Sequence, residues 1–329
     1  MSVASVVVPS YAGAARLPRL LAALAAQTHR DLDVVVVLDG VVDSSERALD
    51  ASPVPVRRVV LPENRGRSAA LTAGFDAARG DVLIRCDDDL EPGPGWAAAH
   101  VGAHRDAVVG VVGLCPDVDP GTAYSRAYGR PAGERFRRGA YAAGPDASWR
   151  YWGGNVSVTR ATYDRVGGYS TDYREYGWED VDWGYRLHRL GVPVRIEPGA
   201  EALHHGASVS AAVRSRRAFL SGAARRTFER LHPEQVREAA PAAGAWDAAV
   251  RLLARGGSER RTALVAGVAD AALGVVPRPV GEKLVALAVE SAAIAGYDRG
   301  RGVPRTGDGG ADRRIRGPGS GADAVREPI

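Results

Sequence analysis

The sequence predicts an α/β fold in which a mainly parallel central sheet is flanked by helices and followed by a helical C-terminal extension. Two observations predict it. The first hundred residues alternate short apolar runs with helical patterns, which is typical of right-handed β-α-β crossovers. After residue 208 the chain becomes rich in Ala and Arg, and no strand pattern continues.

Four strands are predicted in the first hundred residues. Each is a short run rich in β-branched residues, a pattern typical of strands covered on both faces. The runs are Ala4–Val8, Val34–Leu38, Val56–Leu61 and Val82–Cys86. Two helices are predicted between them, at Leu17–Gln27, where leucines recur at helical spacing, and at Ser68–Ala78.

The remaining elements have weaker patterns. A further strand is predicted at Val108–Leu114, and the Gly-, Arg- and Tyr-rich stretch from there to Trp152 is predicted to form loops that close over a ligand. A helix is predicted to begin near Glu179, because an apolar stripe at helical spacing follows it. Residues 209–298 are predicted to be helical with breaks at Pro233, Pro241 and Pro277, and residues 299–329 to be disordered.

Composition limits the class of protein. The formal net charge of +4 over 329 residues does not predict nucleic-acid binding. The two cysteines, Cys86 and Cys115, cannot form a disulfide framework. Neither a signal-peptide pattern nor an apolar run of roughly 18 residues is present. These features predict a cytoplasmic location, and the Arg-rich extension leaves open a peripheral contact with the inner face of the membrane.

Acidic side chains follow the fourth predicted strand. In parallel sheets, ligands bind at the carboxyl ends of the strands. Asp87, Asp88 and Asp89 occupy such an end, and two carboxylates one residue apart can bind one divalent cation. In isolation, a solvated acidic turn explains the triplet equally well, and its position in the α/β pattern favours a metal site.

From Ser5 to about Gly206 the chain resembles the family 2 glycosyltransferases, which have the GT-A fold. The matching segments are Val6–Tyr11, Val37–Gly40, Glu63–Gly66, Ala73-Gly74 and Asp87–Asp89. The resemblance implies inverting transfer from a nucleotide sugar with Mn²⁺ or Mg²⁺. It also implies a catalytic domain at residues 1–208, with a nucleotide-sugar-binding half at 1–107 and an acceptor-side half at 108–208.

The same resemblance implies roles on the donor side. The residues expected to bind the donor are Pro9, Ser10, Tyr11, Asp39, Arg67, Asp87 and Asp88. Asp39 is expected to accept a hydrogen bond from the base, and Arg67 to reach the phosphates. Asp89 is expected to ligate the metal together with His204, with His205 as the alternative. Departures from the family pattern at Ala12, Leu38 and Leu71-Thr72 leave the base and sugar open.

On the acceptor side, three segments resemble galactosyltransferase-like members of the family. They are Gly153–Asn155, Gly167–Tyr169 and Gly177–Asp180. The resemblance makes Asp180 the general base and Glu179 an acceptor-binding or base-orienting group. Acceptor contacts are also expected from Gly154, Asn155 and Trp178. Asp182 is expected to be structural or solvent-facing, and Trp152 and Trp178 either stack on a sugar or pack in the core.

Several alternatives stay open at this point. A UDP-sugar is the default donor, with dTDP- and GDP-sugars next. The acceptor is a glycan, a lipid-linked molecule or a small metabolite, and no nucleic acid is expected. A non-catalytic nucleotide-sugar-binding relative is the rival class. A dinucleotide-binding enzyme is excluded because no Gly-x-Gly-x-x-Gly follows the first strand.

Overall fold

A computed structural model describes residues 2–173, 176–236 and 244–299. Its strands are β1 (Ala4–Ser10), β2 (Leu32–Asp39), β3 (Val56–Leu61), β4 (Val82–Cys86), β5 (Leu90–Pro92), β6 (Gly110–Val112), β7 (Asn155–Thr159), β8 (Val194–Ile196) and β9 (Ala202–His204). Its helices are α1 (Leu17–Ala25), α2 (Ser45–Asp50), α3 (Arg67–Ala77), α4 (Trp96–Ala103), α5 (Arg130–Ala142), α6 (Arg160–Val166), α7 (Glu179–Arg189), α8 (Ala211–Leu231), α9 (Ala245–Ala254), α10 (Glu259–Ala272) and α11 (Arg278–Arg299).

Seven strands form one central sheet in the order β3-β2-β1-β4-β7-β6-β8. The pairs among β3, β2, β1 and β4 are parallel, and β7 runs antiparallel to both of its neighbours. Alternate residues of the buried strands enter two separate cores, because successive side chains of a strand point to opposite faces. Val7 and Val35 join the core on one face, and Val6 and Val34 join the core on the other. The predicted α/β fold with a mainly parallel sheet is confirmed.

The strand order determines where the site lies. β1 lies between β2 and β4, and all three run in parallel. Their carboxyl ends are Ser10, Asp39 and Cys86, and the last of these leads directly into Asp87. The polar residues predicted to bind the donor are therefore gathered at one edge of the sheet.

The prediction that the residues between Leu114 and Trp152 form loops is wrong. This stretch contains a π-helical turn at Ser125–Gly129, helix α5 and a 3₁₀ turn at Ser148–Tyr151. Helix α5 buries only Ala140 and contains Gly133 and Gly139, which are unfavourable inside helices, so its composition resembles that of a loop although Ala132, Phe136 and Ala140 recur at helical spacing. The predicted Val108–Leu114 strand is real but shorter, since β6 spans Gly110–Val112.

The helical extension is confirmed, and it has a core of its own. Helices α8, α10 and α11 surround buried side chains that include Phe219, Val285 and Val289. Helices α8 and α11 approach closely at two glycines: a Cβ on Gly222 would lie 2.1 Å from the Ala293 carbonyl oxygen, and one on Gly296 would lie 1.8 Å from that of Phe219.

The predicted breaks in the extension are only partly tested. Pro233 begins a 3₁₀ turn after α8, and Pro277 separates α10 from α11. Pro241 and the predicted disordered tail, apart from Arg299, lie outside the described residues. None of the helices in the described part of the chain has both the length and the apolar character that crossing a bilayer requires.

A buried polar network lies behind the carboxyl edge of the sheet, between α4 and β7. His100 accepts from the Ser157 hydroxyl at Nδ1 (2.9 Å) and donates from Nε2 to Asn155 Oδ1 (3.0 Å). Asn155 Oδ1 also accepts from the Trp96 indole (2.9 Å), and its amide nitrogen donates to the Ala200 carbonyl (2.7 Å). The amide of Asn155 therefore has partners on both sides, and the neutral form of His100 fits its surroundings.

Stability is expected to fall below neutral pH because of His100. Burial lowers the pKa of His100 from its ordinary value to about 3. Between these two pH values the histidine is therefore protonated in the unfolded chain and neutral in the folded chain. Between pH 6.5 and about 3 the unfolded state is therefore favoured as pH falls. Well below pH 6.5, where the unfolded chain is fully protonated at this histidine, we expect the free energy of unfolding to drop by about 1.4 kcal/mol more per pH unit in the wild type than in His100→Gln. Denaturant titrations from pH 7 to 5 measure this difference, and parallel curves would contradict it.

Candidate active site

Arg85 links a residue of the predicted donor side of the site to a residue of the predicted acceptor side. This arginine is the fourth residue of β4, and its side chain is 0% exposed. Its Nε and Nη2 donate to the two carboxylate oxygens of Asp87, at 2.8 and 3.1 Å. Its Nη1 donates to Asp180, which lies 95 residues away in sequence. The guanidinium also lies over the ring of Tyr169, at 5.7 Å from the centroid. One buried cation thus holds two carboxylates that the family resemblance assigns to donor and acceptor.

The start of α7 places the acidic pair Glu179 and Asp180 at the cleft. The chain enters the helix through Gly177 at φ 88° and Trp178 at φ 70°, a left-handed conformation that is uncommon for a residue with a side chain. The Trp178 indole donates to the Ser221 hydroxyl of α8 (3.0 Å), which ties this strained turn to the extension. A carboxylate in the first turn of a helix is stabilised by the helix dipole.

Glu179 is buried, whereas the Asp180 side chain keeps 16% exposure. Glu179 Oε1 accepts from Arg67 at 3.2 Å, and its Oε2 is buried without a hydrogen-bond partner among the described residues. Burial, together with the charge of Asp180, raises the pKa of Glu179 to about 7. Arg67 itself lies at the start of α3, so it connects the donor half to the acceptor helix.

Asp88 fixes the conformation of the loop between β1 and α1. Asp88 Oδ2 accepts from the Ser10 hydroxyl (2.6 Å), and both of its oxygens accept from Arg16 (2.8 and 2.9 Å). Gly13 is required there, because a Cβ would lie 1.9 Å from Ser10 Oγ. Tyr11 is 46% exposed, so its ring is available at the surface of this loop. Asp88 is therefore a loop-positioning group within the predicted donor site.

Asp39 fixes a second turn at the same edge. Its carboxylate is buried and accepts from the backbone N–H groups of Arg65 (2.7 Å) and Gly66 (2.9 Å). Those residues lead directly into α3 and Arg67. The hydrogen bond from a nucleoside base, which the family resemblance implies for Asp39, stays a prediction.

Asp89 and His204 are brought together by the small sheet of β5 and β9. Leu90 pairs with His204 in the antiparallel register, and the Asp89 carbonyl accepts from the His205 N–H (2.9 Å). His204 Nε2 consequently lies 3.3 Å from Asp89 Oδ2, and its Nδ1 lies 2.5 Å from Asp117 Oδ1. Burial lowers the pKa of His204, but the hydrogen bonds with Asp117 and Asp89 outweigh it and raise that pKa to about 9.

The donor set of this pair suits a divalent cation whose other ligands come from a diphosphate. No group of three His, Cys, Asp or Glu side chains that could hold a metal occurs in the described residues. A carboxylate oxygen and an imidazole nitrogen nevertheless face each other, and Asp117 orients the imidazole from behind. Because the raised pKa keeps this imidazole protonated at neutral pH, a bound cation would replace the Nε2 proton. Gly206 leaves the space beside them open, since a Cβ there would lie 2.4 Å from Asp89 Oδ2. Cations of this kind are often held by one or two protein groups plus substrate phosphates.

Some predicted residues are not in the cleft. Asn155 is 1% exposed, and its side-chain amide is hydrogen-bonded to Trp96 and to the Ala200 carbonyl in the interior. The expected acceptor contact of Asn155 is therefore wrong. Trp152 stacks on Trp183 in the core, at 4.9 Å between ring centroids. Asp182 is buried, where it accepts from His232 (2.7 Å), and is therefore structural. The imidazole of His205 bonds to the carboxylate of Glu91 (2.6 Å) and not to that of Asp89.

Gly154 does lie at the cleft. Its carbonyl accepts from the Asp87 N–H (2.9 Å), and a Cβ on it would lie 2.6 Å from Asp87 Oδ2. The most important residue that the sequence patterns do not single out is Arg85. The available signal is a lone arginine in an otherwise apolar strand, two residues before the acidic triplet.

Two family models match overlapping parts of the chain. Residues 5–165 match the model described as glycosyl transferase family 2, and residues 135–206 match the model described as the N-terminal domain of galactosyltransferase. These are the two resemblances expected from the sequence. The second match covers the start of α7 and ends at the β9 segment that carries His204.

Among curated proteins, a validoxylamine A glucosyltransferase from Streptomyces hygroscopicus subsp. jinggangensis is 30% identical over an alignment of 247 residues, gaps included, that covers 63% of this chain and 57% of that protein. An undecaprenyl-phosphate 4-deoxy-4-formamido-L-arabinose transferase from Pseudomonas fluorescens is 39% identical over 97 residues, 27% of this chain and 29% of that one. The chain thus spans little more than half the length of the first relative.

Among solved structures, a mannosyltransferase from Pyrobaculum calidifontis in complex with GDP-Man and Mn²⁺ superposes with a TM-score of 0.60. The match is 21% identical in sequence and covers 91% of this chain and 88% of that one. At this identity the likeness concerns the fold, and it confirms the predicted GT-A architecture, including the helices after the sheet.

Proposed function

We infer that this chain, which belongs to glycosyl transferase family 2 over residues 5–165, transfers a sugar from a nucleoside-diphosphate donor to an acceptor hydroxyl with inversion at the anomeric carbon. The observation that carries the proposal is the shared ion pair of Arg85 with Asp87 and Asp180. It joins an acid of the proposed donor site to a carboxylate at the start of α7, and Asp89, which faces His204, follows the end of the same strand. A binding protein without catalysis has no need for a cation site and a proton acceptor together.

The proposed reaction is a single displacement. The acceptor oxygen attacks the anomeric carbon as the bond from that carbon to the phosphate oxygen breaks, so the nucleoside diphosphate leaves from the opposite face. The acceptor's proton passes to the Asp180 carboxylate, which acts as general base. Arg85 orients that carboxylate from a fully buried position, so its geometry is fixed before the acceptor arrives.

Three further groups have supporting roles in this proposal. Asp89 and His204 would hold Mn²⁺ or Mg²⁺, and the ion would supply positive charge against the departing diphosphate. Arg67, which is 42% exposed in its side chain, would add a second positive group on the phosphate side. Glu179 would bind the acceptor or orient the base from its buried position. Support for the metal comes from the mannosyltransferase of the same fold, whose structure contains GDP-Man and Mn²⁺.

A thermal-shift panel of nucleoside diphosphates with and without Mn²⁺ tests the proposal. We expect one base among UDP, GDP and dTDP to stabilise the protein by about 2.7 kcal/mol at a concentration of 100 Kd, and only with the cation present. Asp89→Asn is expected to lose this shift, because the substitution removes a charged metal ligand. The nucleotide that stabilises the protein would identify the donor class.

The matched control is Asp81→Asn, which makes the same chemical change. Asp81 is an exposed residue that precedes the first residue of β4, at the end of the strand opposite to Asp89. We expect this variant to keep the full shift. A shift that persists without cation, or in Asp89→Asn, would refute the metal site. No shift with any nucleoside diphosphate would refute the donor assignment.

A further inference from the structure

One face of α10 and the turn that follows it presents apolar side chains to solvent. Leu264 and Val268 are each 70% exposed, and Val275 is 85% exposed. The exposed positions from 263 to 275 are Ala263, Leu264, Gly267, Val268, Ala271, Gly274 and Val275, and none has a polar side chain. We call these seven residues the α10 stripe. Contiguous exposed apolar surface of this kind marks an interaction site.

The charged residue within this stretch does not interrupt the stripe. Asp270 turns inward, and its carboxylate accepts from the backbone N–H groups of Ala211 (2.7 Å) and Ala212 (3.0 Å) at the start of α8. Inside the helix, Ala266 and Ala269 pack in the core of the extension. Helix α10 is therefore apolar on its solvent face as well as on its buried face.

Arginines lie at both ends of the α10 stripe. Arg260 and Arg261 are exposed at its N-terminal end, about 22 Å from Val275 by helical rise. Glu259, the acid nearest to them in sequence, is already paired with Arg216 of α8 (2.9 Å). Within the described part of the chain, Arg260 has no ion-pair partner. This end of the stripe therefore has a net positive charge.

At the other end, the stripe runs into a cleft of about 300 Å³ between α5 and the α10–α11 junction. Its walls combine three arginines with apolar side chains: Arg126, Arg130, Arg278, Leu273 and Val276. No acidic residue lines it among the described residues. Arg130 is paired with Asp119 at 3.6 Å at an exposed position, and Glu282, which follows the lining residue Gly281, is paired with Arg135 at 2.9 Å. The cleft therefore has the chemistry to receive an anionic group next to an apolar surface.

The arrangement of charge discriminates between possible occupants. In an antiparallel pair formed by a second copy of the chain, Arg260 of one stripe would face Arg278 of the other. In a parallel pair, each arginine would face its own counterpart. Like charges would meet in both arrangements, which is unfavourable. An occupant with an apolar interior and a negatively charged boundary fits better. Its interior would contact the apolar centre of the stripe, and its negative charges would contact the arginines at the two ends.

We propose that the α10 stripe and its arginine cleft dock the protein on an anionic phospholipid bilayer, with Leu264, Val268 and Val275 in the acyl boundary and the cleft around a lipid phosphate. An apolar helix face with basic residues at its borders binds at the membrane interface in two ways: apolar side chains are buried at the acyl boundary, and basic side chains are attracted to anionic lipids. The docking face lies on the extension, which also contacts the acceptor side, because α8 packs on α10 and holds Trp178 through Ser221.

Co-sedimentation of the full chain with vesicles tests the proposal. We expect binding to vesicles of phosphatidylglycerol and phosphatidylcholine at least tenfold tighter than to phosphatidylcholine alone, and weaker at high salt. The double variant Leu264→Gln/Val268→Gln is expected to lose about tenfold or more in binding, and so is Arg126→Gln/Arg278→Gln. All four side chains are at solvent-accessible positions, and an unchanged melting temperature would show that the variants fold.

Matched controls lie elsewhere on the protein. Val60→Gln replaces a 48%-exposed valine on β3, and Arg47→Gln/Arg79→Gln removes the same charge from two exposed arginines outside the extension. Both are expected to bind as the wild type does. Equal binding to neutral and anionic vesicles, or no vesicle binding, would overturn the proposal. A dimer that Leu264→Gln/Val268→Gln dissociates would also overturn it, because the stripe would then bind a second copy. Vesicle binding requires no sugar transfer, so its failure is separable from failure of the proposed reaction.

Discussion

Replacing Asp180 with asparagine is expected to lower kcat by about 10²–10⁴-fold, the usual contribution of a general base. Asparagine keeps the shape of the side chain and an oxygen that can accept from Arg85, but it cannot take the acceptor's proton. The nucleotide-dependent thermal shift should persist, because the Asp89–His204 pair is unchanged. The measurement is nucleoside diphosphate release, with the donor that the panel identifies and an acceptor that the wild type uses.

Two neighbouring acids serve as comparisons. Asp182→Asn changes a buried carboxylate whose Oδ2 accepts from Arg186 (2.9 Å) and whose Oδ1 accepts from His232, so we expect a lower melting temperature with kcat of the folded enzyme retained. Glu179→Gln should mainly raise KM for the acceptor. If Asp180→Asn turned over normally while Glu179→Gln lost the reaction, the base would be Glu179, whose pKa of about 7 is suited to that role.

Replacing Arg85 with methionine is expected to destabilise the protein by about 3–5 kcal/mol, the usual cost of removing one partner from a buried ion pair. The loss would leave Asp87, Asp180 and Glu179 close together without the cation that separates their charges. The residual folded enzyme should also have a much lower kcat, because the base is no longer oriented. Urea denaturation measures the first effect, and initial rates corrected for the folded fraction measure the second.

Arg57→Met is the matched control for this substitution. Arg57 also binds one carboxylate through two nitrogens, at 2.8 and 2.7 Å from Asp33, but its side chain is 31% exposed and lies away from the cleft. A partly exposed pair is worth about 1 kcal/mol or less. Equal destabilisation by the two substitutions would show that Arg85 has no special structural role, and an unchanged rate in Arg85→Met would remove it from the positioning of Asp180.

The sequence by itself determined the first four strands of the sheet and the edge at which the acids gather. Buried strands leave largely apolar runs, and such runs predict β1, β2 and β4, whereas β3 carries Arg57 and Arg58 and is only partly buried, so the expectation that it is covered on both faces is wrong. Because the carboxyl ends of parallel strands meet at one edge, the strand pattern alone is enough to group Ser10, Asp39 and Asp87. Helix α5 is missed because its Gly- and Arg-rich composition resembles a loop, although Ala132, Phe136 and Ala140 recur at helical spacing.

Only the tertiary structure decided which polar side chains meet. The contact of Arg85 with Asp180 spans 95 residues, and the contact of His204 with Asp89 depends on the pairing of β5 with β9. Asn155 resembles an acceptor-binding residue in sequence, yet the packing of α4 on β7 buries its amide. Apolar periodicity reports how each segment faces the core, and it contains no information on which distant segment lies opposite. The register between strands and helices sets those pairings, and with them the chemistry of the cleft.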